Sequence, residues 1–133
     1  MDALAAMARY RALHGAINAG LVTACHDLSD GGLAVALAEM AVGGRLGARC
    51  DIAVAPVADE MPATELLYSE SASRLLVTVK PGNAAAFEAR FAGSACACIG
   101  EVTADAILTV TAQGAPLLAE GVEGLARSFK ATF

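Results

Sequence analysis

The sequence of 133 residues contains no tryptophan, and aromatic side chains make up only 5% of it. A core must therefore be packed closely from alanines and aliphatic chains rather than built around large rings. Basic residues are also scarce. Nine Lys and Arg stand against 14 Asp and Glu, for a net charge of −5, and basic residues never cluster beyond two. Binding nucleic acid needs a basic stripe, so that function class is excluded. Any phosphate ligand has to be held by backbone N–H groups, a metal, or a basic residue from another domain.

Long apolar runs are missing as well. The most apolar stretch, residues 33–42, is broken by Glu39 and flanked by paired glycines. A bilayer helix needs roughly 20 mostly apolar residues, so no membrane partner is expected. Asp2, Arg9 and Arg11 among the first alanines do not fit a secretory signal. These features imply a cytoplasmic protein. Four cysteines are present (Cys25, Cys50, Cys96 and Cys98), but none forms a CxxC pair, and His14 and His26 complete no zinc spacing. They read as reduced, semi-buried thiols acting as small hydrophobes, with Cys96 and Cys98 on one side of a strand.

What is abundant is small apolar residue. The hydrophobic fraction is 56% and the mean hydropathy +0.56, much of it alanine. The length suits a single domain spanning residues 1–133. Helical spacing of Leu4, Met7, Ala8, Leu13 and Ile17 predicts a helix over 2–19, stopped by Gly20. Beginning almost at residue 1, that helix suggests a domain cut from a larger protein. A strand over 22–26, a turn over 27–32 and a helix over 33–42, closed by Gly43 and Gly44, follow.

Residues 49–55 alternate as a strand with Cys50, Ile52 and Val54 on one face, ended by Pro56. A short helix is predicted over 63–67 and a strand over 75–79. Asn83 can cap a helix over 84–91, which Phe87 and Phe91 anchor to the sheet. Strands over 97–102 and 107–111 come next, then a turn at Gln113-Gly114 into 115–119. A last helix over 121–129 carries Leu125 and Phe129 four apart. The alternation predicts an α/β (α+β) fold, a mixed sheet with helices packed on it.

Two segments carry candidate chemistry. In His26-Asp27-Leu28-Ser29-Asp30-Gly31-Gly32-Leu33 a strand feeds a helix, whose first N–H groups and dipole suit an anion. Gly31 and Gly32 lack a Cβ, so a phosphate or another stretch of chain can approach. Asp27 and Asp30 offer hard oxygen donors suited to Mg2+, which takes one or two carboxylates plus phosphates and waters. The spacing equally allows Ser29 or Asp30 to be a helix cap and the glycines to shape a turn. The second segment, Tyr68-Ser69-Glu70-Ser71-Ala72-Ser73-Arg74, is a hydroxyl-rich loop entering a strand. It reads either as a sugar-phosphate contact or as a local Glu70–Arg74 ion pair.

Residues 20–41, residues 68–74 and the run Ile99-Gly100-Glu101-Val102-Thr103 closely resemble, in order and spacing, the last domain of the phosphoribosylformylglycinamidine synthase family. That family lies within the aminoimidazole-ribonucleotide-synthetase superfamily, and the resemblance covers essentially the whole chain. It implies an ATP-dependent ligase of purine biosynthesis that makes formylglycinamidine ribonucleotide from formylglycinamide ribonucleotide and glutamine-derived ammonia. It also implies a C-terminal-type domain, with Mg2+ and ATP or ADP as cofactors of the whole enzyme. The implied partners are an N-terminal barrel domain, the other half of the synthase and a glutaminase domain or subunit; the chain alone is expected to be inactive.

On this resemblance Asp27 is a magnesium ligand, with Asp30, Gly31 and Gly32 near the nucleotide phosphates. Ser69, Glu70, Ser71 and Arg74 match the substrate-side loop. Ala72 departs from the family's usual glutamine and points to the half whose site holds a structural nucleotide. A non-catalytic Mg–nucleotide pseudo-site is therefore one alternative. A sister family, such as the selenophosphate or thiamine-phosphate enzymes, is another. Surface that normally meets neighbouring domains is expected to make the chain self-associate.

Overall fold

The computed structural model describes residues 2–131. The elements run α1 (Ala3–Asn18), β1 (Val22–Asp27), α2 (Gly32–Gly44), β2 (Gly47–Asp51), α3 (Ala63–Tyr68), β3 (Leu75–Val79), α4 (Ala84–Arg90), β4 (Gly100–Thr103), β5 (Ile107–Ala112), β6 (Ala115–Gly121) and α5 (Val122–Ala131). The mixed α/β class is as expected, but the strands form two sheets, not one. β1 and β3 make an antiparallel pair; the other four are ordered β4-β2-β5-β6, with β2 and β5 parallel.

Two cores correspond to the two sheets. The larger joins α2, α3 and the four-stranded sheet through Leu33, Leu37, Leu66, Leu67, Leu108, Val110 and Ile52. The smaller packs Leu13 and Ala16 of α1 against Phe87 and Phe91, beneath Val77 and Val79. The two phenyl rings lie 4.8 Å apart between centroids, so the expected anchoring of α4 holds. In α1 the buried positions are Ala6, Leu13 and Ala16; Leu4, Met7 and Ile17 stay exposed. Alanines let this helix approach closely, and its larger apolar side chains other than Leu13 are left on the outer surface.

Several local expectations are corrected. The strand over 49–55 stops at Asp51, because the Asp51 carboxylate accepts the Ala53 amide and bends 52–54 into a 3-10 turn. Ile52 is buried, but Val54 points outward. Asn83 makes no side-chain cap; it already sits in helical geometry at the end of a 3-10 turn that runs into α4. α2 continues through Gly43 and Gly44 and ends at Arg45, which takes the left-handed conformation (φ 55°) and pairs with Glu123 at 2.9 Å. The strand over 97–102 begins only at Gly100, leaving Cys96 and Cys98 on irregular chain. All four thiols are free; Cys50 alone is buried, and Cys25, Cys96 and Cys98 are exposed.

Asp51 also accepts the amides of Gln113 and Gly114, pinning the β5–β6 turn to the end of β2. These bonds, the one from Ala53 foremost, hold its carboxyl below the usual range. Asp105 is held low in the same way, first by the Thr103 hydroxyl and then by the Ile107 amide and Arg49. A depressed folded pKa gives stability that is present above the unfolded value of about 3.9 and lost as pH falls through the folded one. Asp51→Ala is expected to lower Tm at pH 7 and flatten the acid limb of a Tm-against-pH curve. Leu108→Ala should cost about 2–5 kcal/mol in urea unfolding, because Leu108 is fully buried.

Candidate functional site

The antiparallel pairing of β1 with β3 sets Asp27 opposite Leu75, so the end of β1 lies beside the start of β3. The ladder continues into the loops, where the Leu28 amide donates to the Arg74 carbonyl at 3.1 Å. Two segments far apart in sequence, 26–32 and 69–74, thereby become one surface.

Neither Ser29 nor Asp30 caps α2; Gly31 occupies the cap position with no side-chain bond from its own segment. The cap comes from the other loop. The Gly31 amide donates to Glu70 Oε1 at 2.8 Å, across 39 residues. A carboxylate at a helix N-terminus is favoured by the exposed N–H groups and the dipole. Gly31 and Gly32 have φ of 79° and 62°. A Cβ on Gly32 would sit 2.7 Å from the Ser69 carbonyl oxygen and 2.8 Å from the Tyr68 carbonyl carbon. The close approach allowed by this glycine is thus occupied by the chain's own backbone.

The expected Glu70–Arg74 ion pair does not form, since Glu70 faces α2 and Arg74 faces α3. The Arg74 guanidinium donates to the Ser69 carbonyl (2.8 Å), to Ser69 Oγ (2.6 Å) and to the Leu66 carbonyl (3.2 Å). It covers the C-terminal carbonyls of α3, where positive charge is favoured. Burial pushes its pKa down, yet an arginine remains charged. Ser73, held at φ 66°, accepts from Arg9 of α1 at 3.0 Å. The loop is pinned to three helices, with Ser71 and Ala72 exposed between the pins.

Asp27 is different. Its side chain is 72% exposed at the tip of β1, and Asp30 is exposed nearby. Its main chain is held by His26, whose Nδ1 donates to the Asp27 carbonyl while Nε2 lies 2.7 Å from Glu39 Oε2 on α2. The His26 pKa is raised, chiefly by the bond to the Asp27 carbonyl; partial desolvation opposes the rise and the Glu39 carboxylate adds to it. Reading the sequence alone assigned no role to Glu39 or His26. The available signal was a single carboxylate inside an otherwise apolar helical run.

Among the described residues no three His, Cys, Asp or Glu groups come together to enclose a metal. One outward carboxylate does suit Mg2+, which completes its shell with water and phosphate oxygens. The third resembling run lies elsewhere: Gly100–Thr103 forms β4. An open cleft of about 680 Å³ on the four-stranded sheet includes Arg49, Cys50, Cys98 and Glu101, and none of the paired-loop residues. A smaller groove along α3, lined by Thr64, Glu65, Tyr68 and Ser69, meets the loops at Ser69.

The fold and the paired loops define an α/β domain that presents a carboxylate at a strand–helix junction. Residues 1–113 match the family described as AIR synthase related protein, C-terminal domain, and the chain belongs to that family. Curated relatives include the phosphoribosylformylglycinamidine synthase subunit PurL of Lactobacillus helveticus (strain DPC 4571). It is 45% identical over 91 residues, covering 68% of this chain and 11% of the relative. The PurL subunit of Lacticaseibacillus paracasei is 49% identical over 74 residues, 56% of this chain and 9% of the relative.

Among solved structures, PurLQS from Thermotoga maritima superposes with a TM-score of 0.84 at 25% identity, covering 95% of this chain and 22% of that one. T. maritima PurL complexed with ATP gives 0.78 at 26% identity, over 87% and 20%. The chain thus spans about a tenth of the curated relatives it matches. No helix of the described residues is long and apolar enough to cross a membrane.

Gly32→Ala should destabilise the fold by about 1–3 kcal/mol, since both the left-handed conformation and the Tyr68–Ser69 backbone oppose a Cβ. Gly43→Ala, in open space on α2, should stabilise by about 0.5–1 kcal/mol. Urea unfolding of the two variants distinguishes a built contact from a merely flexible turn.

Proposed function

We propose that this chain is the C-terminal-type domain of a phosphoribosylformylglycinamidine synthase in the cytoplasm, acting with an N-terminal barrel domain, the other half of the synthase and a glutaminase. In that enzyme ATP phosphorylates the amide oxygen of formylglycinamide ribonucleotide, and ammonia from glutamine displaces the phosphate. The observation that carries the reading is the outward Asp27 carboxylate, beside an exposed Asp30, while Glu70 and Arg74 are engaged within the protein. The similarity to PurL, solved with ATP and with FGAR, supports it.

In this reading Asp27 is a ligand to Mg2+, which neutralises phosphate oxygens when bound. Asp30 is a further contact on the same surface. Glu70, Gly31 and Gly32 hold the two loops together, and Arg74 and Ser69 fix the loop base. Ser71 presents a hydroxyl toward the ribonucleotide side. The exposed apolar residues of α1 (Leu4, Met7, Tyr10 and Ile17) pack against the rest of the synthase and make the isolated chain self-associate.

A second reading, a structural Mg–nucleotide site without turnover, is favoured by Ala72 and by the internal engagement of Glu70 and Arg74. In the complete synthase, Asp27→Asn is expected to lower kcat at least about tenfold with assembly and Tm unchanged. Unchanged kcat with weakened assembly would transfer support to the structural reading. Loss of neither would remove Asp27 from both.

A further inference from the structure

A second group of reactive side chains lies on the four-stranded sheet, away from the paired loops. Cys50 of β2 faces Gly100 of β4 in register, and the antiparallel course extends one residue further, where the Asp51 amide donates to the Ile99 carbonyl at 2.8 Å. Gly100 is pressed onto β2: a Cβ there would overlap the Arg49 carbonyl and lie 2.8 Å from Cys50 Cα. Cys98 Sγ donates to the Gly100 carbonyl at 3.4 Å, so its sulfur sits beside the residue that faces Cys50. Both thiols line the same open cleft. Burial pushes the Cys50 thiol up to about 11, and the charge of Cys98 adds to that rise. Cys96 is raised by burial first, then by Glu88 and Cys98.

We propose that Cys50 and Cys98 are a modification site, a peroxide-responsive dithiol that closes to an intramolecular disulfide between β2 and the segment before β4. The exposed Cys98 thiolate attacks one oxygen of hydrogen peroxide. The O–O bond breaks, hydroxide leaves and is protonated to water, and Cys98 becomes a sulfenic acid. The Cys50 thiolate then attacks the Cys98 sulfur; the S–O bond breaks and a second water leaves. Two thiols lose two electrons, and one peroxide is reduced to two waters.

A disulfide needs Cα atoms about 4.4–6.8 Å apart, and Cys98 lies two residues before Gly100, the ladder partner of Cys50. Residues 96–99 have no regular structure to resist its closing. Below the Cys50 pKa its thiolate fraction rises about tenfold per pH unit, so closure should accelerate with pH.

The test is to treat the chain with stoichiometric hydrogen peroxide, count free thiols and map disulfides by mass spectrometry without reduction. Two of the four thiols should disappear into a Cys50–Cys98 cross-link. Cys98→Ser should abolish it and Cys96→Ser preserve it. Cys50→Ala, checked for folding by circular dichroism, should leave Cys98 as a sulfenic or sulfinic acid. Accumulation of oxidised Cys98 beside reduced Cys50 in the unsubstituted protein would overturn the proposal. A Cys96–Cys98 bond, or a bond between chains through Cys25, would do the same.

Discussion

The hydrogen bond from the Gly31 amide to Glu70, together with the Gly32 backbone pressed against Tyr68 and Ser69, is the constraint on which the candidate site depends. It joins the start of α2 to the loop before β3 through one carboxylate and one direct backbone contact. That contact is possible because β1 and β3 are antiparallel, which brings their connecting loops to one end of the small sheet. A helix N-terminus left unpaired would attract anions freely. Here one of its amides is already satisfied by a carboxylate of the same chain, and Glu70 adds negative charge where a phosphate would otherwise settle.

That arrangement divides the charged residues of the two loops by task. Glu70 and Arg74 each close a helix end, and Arg9 fastens Ser73 from a third helix. Asp27 is left projecting, its carbonyl bound by a His26 ring that Glu39 holds from α2, and its carboxylate only 3.7 Å from the same ring. A rigid support with one outward oxygen donor is what a metal shared with a ligand's phosphates requires, because Mg2+ keeps most of its shell for water and phosphate. Such a donor is incomplete alone. This agrees with a chain that covers about a tenth of the length of its PurL relatives.

Much of this was legible in the residues, and the reasons for the rest are physical. The strand–turn–helix around Asp27 could be read from Val22, the paired glycines and the apolar run after them. The anchoring of α4 could be read from Phe87 and Phe91. The cap of α2 could not, because local spacing favours Ser29 or Asp30 and the actual partner lies 39 residues away. The end of β2 was hidden for a related reason: Asp51 turns the chain by binding amides at 53, 113 and 114. Alternation of Cys50, Ile52 and Val54 carried no trace of that. The division into two sheets depends on β1 choosing β3, a choice of partner that strand periodicity does not encode.

The most direct measurement is anomalous diffraction from crystals of the complete synthase grown with Mn2+ and ADP. A manganese peak is expected within about 2.2 Å of the Asp27 carboxylate and bridged to a phosphate oxygen, with Glu70 still bound to the Gly31 amide. A manganese–phosphate pair bound elsewhere, with Asp27 turned away from it, would rule Asp27 out as a metal ligand.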